Sequence, residues 1–525
     1  MTPRLYDATW ITPGRRPQRG WSRAAGTLAA AVAVIFTSAC KDAFVPNLDS
    51  PTVNSATPIG FQALVTGAFG TFRGPPPGSD VGYFIAAMTS FGRDAGNFTS
   101  SDNRFDTEWL GAGTPVNNSD FYGSGGWTDE FRVVATLNTA LQAIPTVSPK
   151  FSPSDAAHVT GVLNTEKALV FMYLAELRDT VGVPVANVGK TPFNQAPILC
   201  VKDVWAYVVA LLDSANAELN VAPAAAPPPI VLPKGFASVV GSSGPSTTAG
   251  SFASFNRALA ARANLQLAYA IARSTAGTAP TPTTPGTPDP TALARADSAV
   301  AASALYIPAA LAPPTTGDFS DPNAVYFTFS GASGDIPNPL NSSIVSIATL
   351  RLLNEFVTDV ASEVDTAVDK RWLNKIIVNP FQPQQAAYSG PVSSGFLVGT
   401  FSSAASPIPI VRNEELVLTR AQIQLGLGNV AGAWTYINDV RTAVGGSPPL
   451  APSADFVTTR DALMREQRIS TVFEFSEDRT ISLRMYGLQT ALTTTWGPLD
   501  THATLLPIPL AEINGRGGSF TLSCP

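Results

Sequence analysis

Apolar positions recur with a helical period in residues 413–444, which carry the clearest pattern in the chain. Gly428-Asn429 interrupts this pattern, and Trp434 and Ile437 follow among the apolar positions of its second half. Apolar residues spaced three or four apart define one face of a helix. The pattern therefore predicts a helix, a tight turn and a second helix packed on the first. Its length of about 34 residues is typical of a tetratricopeptide repeat.

Weaker helical patterns recur along the chain. They occupy 61–72, 127–144, 163–180, 201–219, 255–274 and 293–306. The connections vary greatly in length, and two of them, 222–250 and 275–290, are too rich in Ala, Pro, Gly, Ser and Thr to fold alone. Residues 320–345 and 376–412 mix aromatic residues with Pro and Gly. These patterns predict an all-α fold of irregular tetratricopeptide-like helical repeats, with long loops and a few short strands.

The N-terminal region has the pattern of a secretory signal. Four arginines precede an apolar run at 24–36, which is too short to span a membrane, and small residues then lead to Cys40. This arrangement resembles a bacterial lipobox, in which the cysteine is diacylated and becomes the new N-terminus. We expect a lipoprotein signal at 1–39, a lipidated tether at 40–60 and a body at 61–525. An ordinary signal peptide with a chance cysteine is the alternative.

Length and charge narrow the class of protein. The body exceeds the roughly 250–300 residues that one core usually serves, which predicts two lobes or a repeat array; we divide it into 61–250, with aromatic-rich loops, and 251–525. Removing residues 1–39 removes five arginines and one aspartate, so the net charge falls from −6 to −10. An acidic chain without a basic tract is poorly suited to nucleic acid.

Histidine and cysteine content restricts the chemistry. His158 and His502 are isolated, which excludes an HExxH zinc site and disfavours a histidine-based triad. We expect no metal and no cofactor. Besides Cys40, the chain has Cys200 and Cys524, which either pair in an oxidising compartment or remain two unrelated thiols.

The aromatic-rich segment 83–127 and the loop 320–335 supply the candidate ligand-binding residues. The candidates are Trp109, Tyr122, Phe121, Asp94, Asn97 and Tyr326. Gly and polar neighbours predict exposed loops for Trp109 and Tyr122, which we prefer. Flat rings beside amide and carboxylate groups suit sugars, and they equally suit an extended peptide. The alternative is that many of these rings belong to the core or contact a partner protein.

Several motifs together resemble one family. They are Arg465-Glu466-Gln467-Arg468, Phe473-Glu474-Phe475, Arg479, Leu483-Arg484, Leu506-Pro507-Ile508-Pro509, Glu512-Ile513 and the turn Gly182-Val183-Pro184. They resemble the motifs of the SusD/RagB family of nutrient-uptake lipoproteins. Residues 514–518 depart from the usual tail of that family. The chain is therefore similar to a divergent member.

The resemblance implies a location, a partner and a function. It implies a lipid-anchored protein of the bacterial outer membrane, facing the cell surface, that binds an oligosaccharide or peptide and passes it to a SusC-like TonB-dependent barrel transporter. No enzymatic step is expected. The charged motif residues Arg465, Glu466, Arg468, Glu474, Arg479 and Arg484 are expected to form a structural ion network. A lipid-anchored protein-interaction scaffold and a secreted glycoside hydrolase are the alternatives.

Overall fold

In a computed structural model of the protein, helices that follow one another in sequence pack against each other through most of the described chain. The described residues are 57–74, 81–97, 104–111, 115–185, 196–232, 249–314, 323–330, 336–341, 350–362, 364–378, 396–475, 479–492 and 503–518. The predicted signal, Cys40, His502 and Cys524 lie outside these ranges. Cys200 is disulfide-bonded. Thr52–Pro525 form one compact unit.

The described part of the chain is mainly helical, so the predicted all-α repeat fold is confirmed. The helices are α1 (Pro58–Arg73), α2 (Val81–Phe91), α3 (Phe121–Ser124), α4 (Thr128–Ala143), α5 (Pro153–Arg178), α6 (Val201–Leu219), α7 (Ala249–Arg273), α8 (Pro290–Ala302), α9 (Pro339–Asn341), α10 (Asn354–Ala361), α11 (Lys370–Lys375), α12 (Asn413–Gly426), α13 (Val430–Ala443), α14 (Phe456–Thr471), α15 (Arg479–Met485) and α16 (Leu510–Gly515). Helices α5 to α8 pack in succession, while α12 packs on α8, α13 and α14.

The turn between α12 and α13 matches the predicted repeat turn. Gly428 has a φ of 77°, a left-handed conformation that favours glycine. The side-chain Oδ1 of Asn429 accepts a hydrogen bond from the backbone N–H of Gly432 at 3.0 Å and caps α13. The two residues that interrupt the apolar pattern therefore perform two local tasks, the reversal of the chain and the start of the next helix.

Short antiparallel strands join distant parts of the chain. The strands are β1 (Ala95–Asn97), β2 (Val183–Pro184), β3 (Ile198–Leu199), β4 (Ala324–Phe327), β5 (Leu350–Leu352), β6 (Ile376–Val378), β7 (Phe396–Val398) and β8 (Ile408–Arg412). Four of them form a sheet in the order β1-β5-β7-β6, while β2 pairs with β3 and β4 with β8. Because β1 pairs with β5, the sheet ties the N-terminal aromatic segment to the C-terminal part.

The buried ring of Phe475 packs against rings from three distant elements. Its ring centroid is 4.6 Å from that of Phe84, 5.4 Å from Phe327 and 6.0 Å from Tyr173. These partners belong to α2, β4 and α5, so one ring of the C-terminal motif connects three elements that are distant in sequence. Burial of such rings supplies much of the apolar stabilisation of a core.

Two carboxylates of the predicted ion network form buried ion pairs. Glu466 lies 2.6 Å from Arg371 and 2.8 Å from Arg441. Glu474 accepts two hydrogen bonds, each 2.8 Å long, from Nε and Nη2 of Arg412. The partners belong to α11, α13 and β8, so the charged motif residues bind α14 and the segment after it to the repeat helices. Buried arginine–carboxylate pairs of this kind fix the relative geometry of the elements more than they add net stability.

Arginines of the same network reach the N-terminal part. Arg468 Nε lies 2.7 Å from the carboxylate of Asp94, and Arg479 lies 3.5 Å from it. Arg484 lies 3.9 Å from Asp179. Five of the six motif residues therefore pair with residues from other parts of the described chain, namely Glu466, Arg468, Glu474, Arg479 and Arg484. Spacing in the sequence did not reveal these partners.

Candidate functional site

Three rings of the aromatic-rich segment form a closed cluster, which consists of Tyr83, Trp109 and Tyr122. The side chains of Trp109 and Tyr122 are 1% and 3% exposed. Trp109 Nε1 and the Tyr83 hydroxyl both donate to the backbone carbonyl of Tyr122, at 2.9 and 3.1 Å. The prediction that Trp109 and Tyr122 lie in exposed loops is wrong, because both rings are buried and pack edge to face, and the indole N–H of Trp109 donates within the protein.

The other sequence candidates occupy different environments. Asp94 is 2% exposed and its carboxylate is held by Arg468, while Tyr326 is 6% exposed within β4. Asn97 is half-buried in β1, where it pairs with Leu350. Asp94 and Tyr326 are therefore buried, and their assignment as ligand-binding residues stays a prediction. Phe121 is 38% exposed, the largest exposure among the six candidates, all of which are described.

A second set of rings lines an open cavity of 340 Å³, which we call the aromatic cleft. Its rings are Trp127, Phe131 and Phe171. The centroids of Trp127 and Phe131 are 5.0 Å apart, and those of Phe131 and Phe171 are 6.5 Å apart. Phe131 is half-buried, so part of its ring is accessible. The volume lies in the range of about 300–1,000 Å³ that is usual for small-ligand pockets.

A close approach of the backbone positions Trp127 at the start of α4. Gly126 has a φ of 60°, and a Cβ there would lie 2.5 Å from Cδ1 of Leu177. Only glycine allows both the conformation and the contact. The buried Arg178 guanidinium donates to the carbonyls of Gly125 and Gly126 at 2.6 and 3.3 Å and lies 5.2 Å from the Trp127 ring. Burial lowers the pKa of Arg178 to about 10, so it remains charged at neutral pH.

Polar groups line the remainder of the aromatic cleft. Glu512 and Arg516 form an ion pair at 2.7 Å, and both side chains are partly exposed. The exposed Thr128 adds a hydroxyl, and Pro184 of β2 adds an apolar surface. Hydrogen bonds to charged groups are stronger than those between neutral groups. The cleft therefore combines apolar ring faces with charged donors and acceptors.

Backbone hydrogen bonds hold the C-terminal segment at the cleft. The N–H of Leu510 donates to the carbonyl of Asn118 at 2.9 Å, and the Asn118 side chain donates to the carbonyl of Ile508 at 3.3 Å. The N–H of Leu506 donates to the carbonyl of Leu177 at 2.8 Å. These bonds fix the segment that carries Glu512 and Arg516 against the aromatic loop and the end of α5.

None of the six ligand-binding candidates from the sequence lines the aromatic cleft, and the sequence predicted no ligand contact for the residues that do. Trp127 lies at the end of the aromatic-rich segment, and Pro184 and Glu512 belong to motifs used for the family resemblance. Phe131 and Phe171 were missed, because on a helix with an apolar face they have the pattern of ordinary core residues. The position of Phe131 one helical turn after Trp127 is the signal that could have indicated it. The sequence carried no comparable signal for Phe171.

Two kinds of feature are absent from the described ranges. No group of three or more His, Cys, Asp or Glu side chains there is arranged to hold a metal ion. No helix of the same ranges is long and apolar enough to cross a bilayer.

Comparison with known proteins identifies the fold. Neither protein-family models nor curated protein sequences match the chain. A SusD superfamily protein from Bacteroides thetaiotaomicron matches with a TM-score of 0.60 and 16% identity over 88% of this chain and 99% of that one. A SusD-like carbohydrate binding protein from Bacteroides fragilis matches with a TM-score of 0.60 and 12% identity, covering 88% and 98%. A laminarin binding SusD-like protein matches with a TM-score of 0.53 and 16% identity, covering 87% and 96%.

The chain therefore has the fold of the SusD superfamily over most of its length, with low sequence identity. The resemblance drawn from the motifs is confirmed at the level of the fold. The low identity agrees with the expectation of a divergent sequence.

Proposed function

We propose that this chain is a divergent SusD-type lipoprotein that captures an oligosaccharide in the aromatic cleft and leaves it chemically unchanged. The observation that carries the proposal is the cleft itself, where Trp127, Phe131 and Phe171 share 340 Å³ with the Glu512–Arg516 ion pair. Two solved structures of the same fold are described as carbohydrate binding and laminarin binding. These descriptions favour an oligosaccharide over a peptide.

The chemistry of a sugar matches the two kinds of surface in the cleft. A pyranose presents C–H groups on its faces and hydroxyl groups around its edge. The C–H face stacks on the accessible part of Phe131, where removal of apolar surface from water favours binding. Edge hydroxyls donate to Glu512 and accept from Arg516. A hydrogen bond to a charged group contributes about 1.5–3 kcal/mol, which is enough to orient the sugar.

Binding by titration calorimetry with laminarin-derived and starch-derived oligosaccharides tests this function. We expect at least one of them to bind wild-type protein, and we expect Phe131→Ala to weaken that binding about tenfold or more. Phe151→Ala is the matched control, because Phe151 is also half-buried but packs on Phe61 outside the cleft. Equal losses in both variants would contradict the assignment of the cleft. Failure of every oligosaccharide to bind would contradict the proposed function.

The same proposal extends to anchoring and delivery. We infer that acylated Cys40 tethers the protein at the outer membrane, where it passes its ligand to a SusC-like TonB-dependent barrel. A tether raises the effective concentration of the binding protein at the transporter. Affinity capture of the tagged full chain from detergent-solubilised outer membranes is expected to recover a barrel protein in stoichiometric amount. Cys40→Ala is expected to move the chain from the membrane fraction to the soluble fraction, and its persistence in the membrane fraction would contradict the lipid anchor.

A further inference from the structure

A second, open cavity of 380 Å³ shares no lining residue with the aromatic cleft and is lined mainly by α14, α15 and the segment after α15. Four arginines line it, namely Arg460, Arg465, Arg468 and Arg479. We call it the arginine cavity. Nothing in the proposed sugar binding makes use of these side chains.

Among the described residues that line the arginine cavity, arginines outnumber carboxylates. Two carboxylates, Asp359 and Asp461, accompany the four guanidinium groups. Asp94, which pairs with two of the arginines, brings the acids to three. The site therefore holds both signs of charge, and a further anion would bind through guanidinium donors that these acids leave unused.

Arg468 has hydrogen-bonding capacity that its protein partners do not use. Its side chain is 8% exposed, its Nε donates to Asp94 at 2.7 Å, and its Nη1 donates to Asp359 at 3.1 Å. Its buried Nη2 has no hydrogen-bond partner within the part of the chain that the structure describes. An unsatisfied buried donor is costly, so a bound acceptor would stabilise the site.

Arg479 is the second arginine of the site. Among the described residues its carboxylate partners are Asp94 at 3.5 Å and Asp359 at 3.9 Å, longer than the usual 2.7–2.9 Å of a charged hydrogen bond, and its Nη1 donates to the carbonyl of Gly92 at 3.1 Å. Burial, followed by the neighbouring charge of Arg468, lowers the pKa of Arg479 to about 10. An added negative charge would counter the effect of Arg468.

The remainder of the cavity is apolar. Met464, Leu483, Leu488 and Leu492 complete its lining. Inorganic anions have no apolar surface to bury there, whereas an organic acid places its carboxylate at the arginines and its carbon body against these side chains.

We propose that the arginine cavity is a binding site for a small organic acid, held through its carboxylate by Arg468 and Arg479. Planar guanidinium groups match the geometry of a carboxylate, which accepts hydrogen bonds on both oxygens. The carboxylate can belong to an acidic sugar or to a short aliphatic acid. The proposal does not depend on the proposed capture of oligosaccharide, because the two cavities share no lining residue.

Ligand-observed NMR titration of the full chain at fixed ionic strength tests this site. The probes are glucuronate with glucose as its neutral counterpart, and hexanoate with hexanol as its neutral counterpart. We expect one acid to bind with a Kd below about 10 mM and its neutral counterpart to bind about tenfold more weakly or not at all. The acid that binds identifies the source of the carboxylate. Absence of binding by both acids, or equal binding of acid and neutral probe, would overturn the proposal.

Variants connect the binding to the arginines. Arg479→Gln is expected to weaken the bound acid about tenfold. Arg420→Gln is the matched control, since Arg420 also forms an ion pair, with Asp297, but does not line the cavity. If Arg479→Gln fails to fold, acid binding is measured instead in Leu488→Trp. This substitution fills the cavity without removing a charge, so it is expected to abolish acid binding. Unchanged acid binding in whichever of these two variants is folded would overturn the site, and loss of binding in Arg420→Gln to the same extent would also overturn it.

Discussion

The closed cluster and the aromatic cleft contain the same kinds of residue, but of their six rings only that of Phe131, in the cleft, is partly accessible to solvent. In the closed cluster, the Trp109 indole and the Tyr83 hydroxyl both donate to one backbone carbonyl, and the rings are buried. In the aromatic cleft, Trp127 and Phe131 line an open volume beside a partly exposed ion pair. The difference shows that a polar sequence neighbourhood does not by itself bring a ring to the surface.

The difference follows from what covers each set of rings. In the closed cluster, rings from α2, the π-helical turn Phe105–Trp109 and α3 cover one another. In the cleft, the C-terminal segment approaches the rings with charged rather than apolar side chains. Charged side chains retain their hydration better at an open cavity than inside a core. The cleft therefore stays accessible to a ligand that can replace this water.

The largest effect that separates the two regions concerns stability. Trp109→Ala removes a buried indole and leaves its space unfilled, so we expect the free energy of unfolding to fall by about 3–5 kcal/mol. Denaturant unfolding followed by circular dichroism measures the change. A loss below about 1 kcal/mol would show that the cluster is not a tightly packed part of the core.

A smaller effect is expected at the polar side of the cleft. Glu512→Gln removes the charge of a partly exposed ion pair, which contributes only about 0–1 kcal/mol to stability. We expect nearly unchanged unfolding and a fall of about tenfold in oligosaccharide affinity, because a charged acceptor is replaced by a neutral one. Asp213→Asn, which alters the Asp213–Arg257 pair outside the cleft, is the control. Equal affinity in all three proteins would remove Glu512 from the site.

The smallest effect is expected at Phe121, the exposed member of the sequence candidates. Phe121→Ala is expected to change stability by no more than about 1 kcal/mol and to leave oligosaccharide affinity within about twofold of wild type. Denaturant unfolding of the variant measures the change in stability, and titration calorimetry measures its oligosaccharide affinity. A large loss of affinity at normal stability would transfer the binding site from the cleft to the loop that carries Phe121.

Local features of the fold were predictable from sequence, whereas features that depend on distant residues were not. The turn at Gly428-Asn429 was predicted because its conformation and its helix cap involve only neighbouring residues. The burial of Trp109 was not, because its cover comes from Tyr83 and Tyr122, whose position depends on tertiary packing. Phe171 lies on α5, which is buried on nearly all sides, so its sequence gives no sign of a cavity.

The charged motifs show the same distinction between local features and features that depend on distant residues. Their residue types indicated ion pairing, since Arg and Glu are seldom buried alone. Their partners were not predictable, because Arg371 and Asp94 lie far from Glu466 and Arg468 in sequence. The arginine cavity was hidden for the same reason, since it depends on how α14 and α15 pack.

A crystal structure of the protein with the tightest-binding oligosaccharide would test the central claim most directly. We predict a sugar ring in the aromatic cleft, with its C–H face on Phe131 and a hydroxyl within hydrogen-bonding distance of Glu512. An oligosaccharide bound elsewhere, with the cleft free of sugar, would contradict the account.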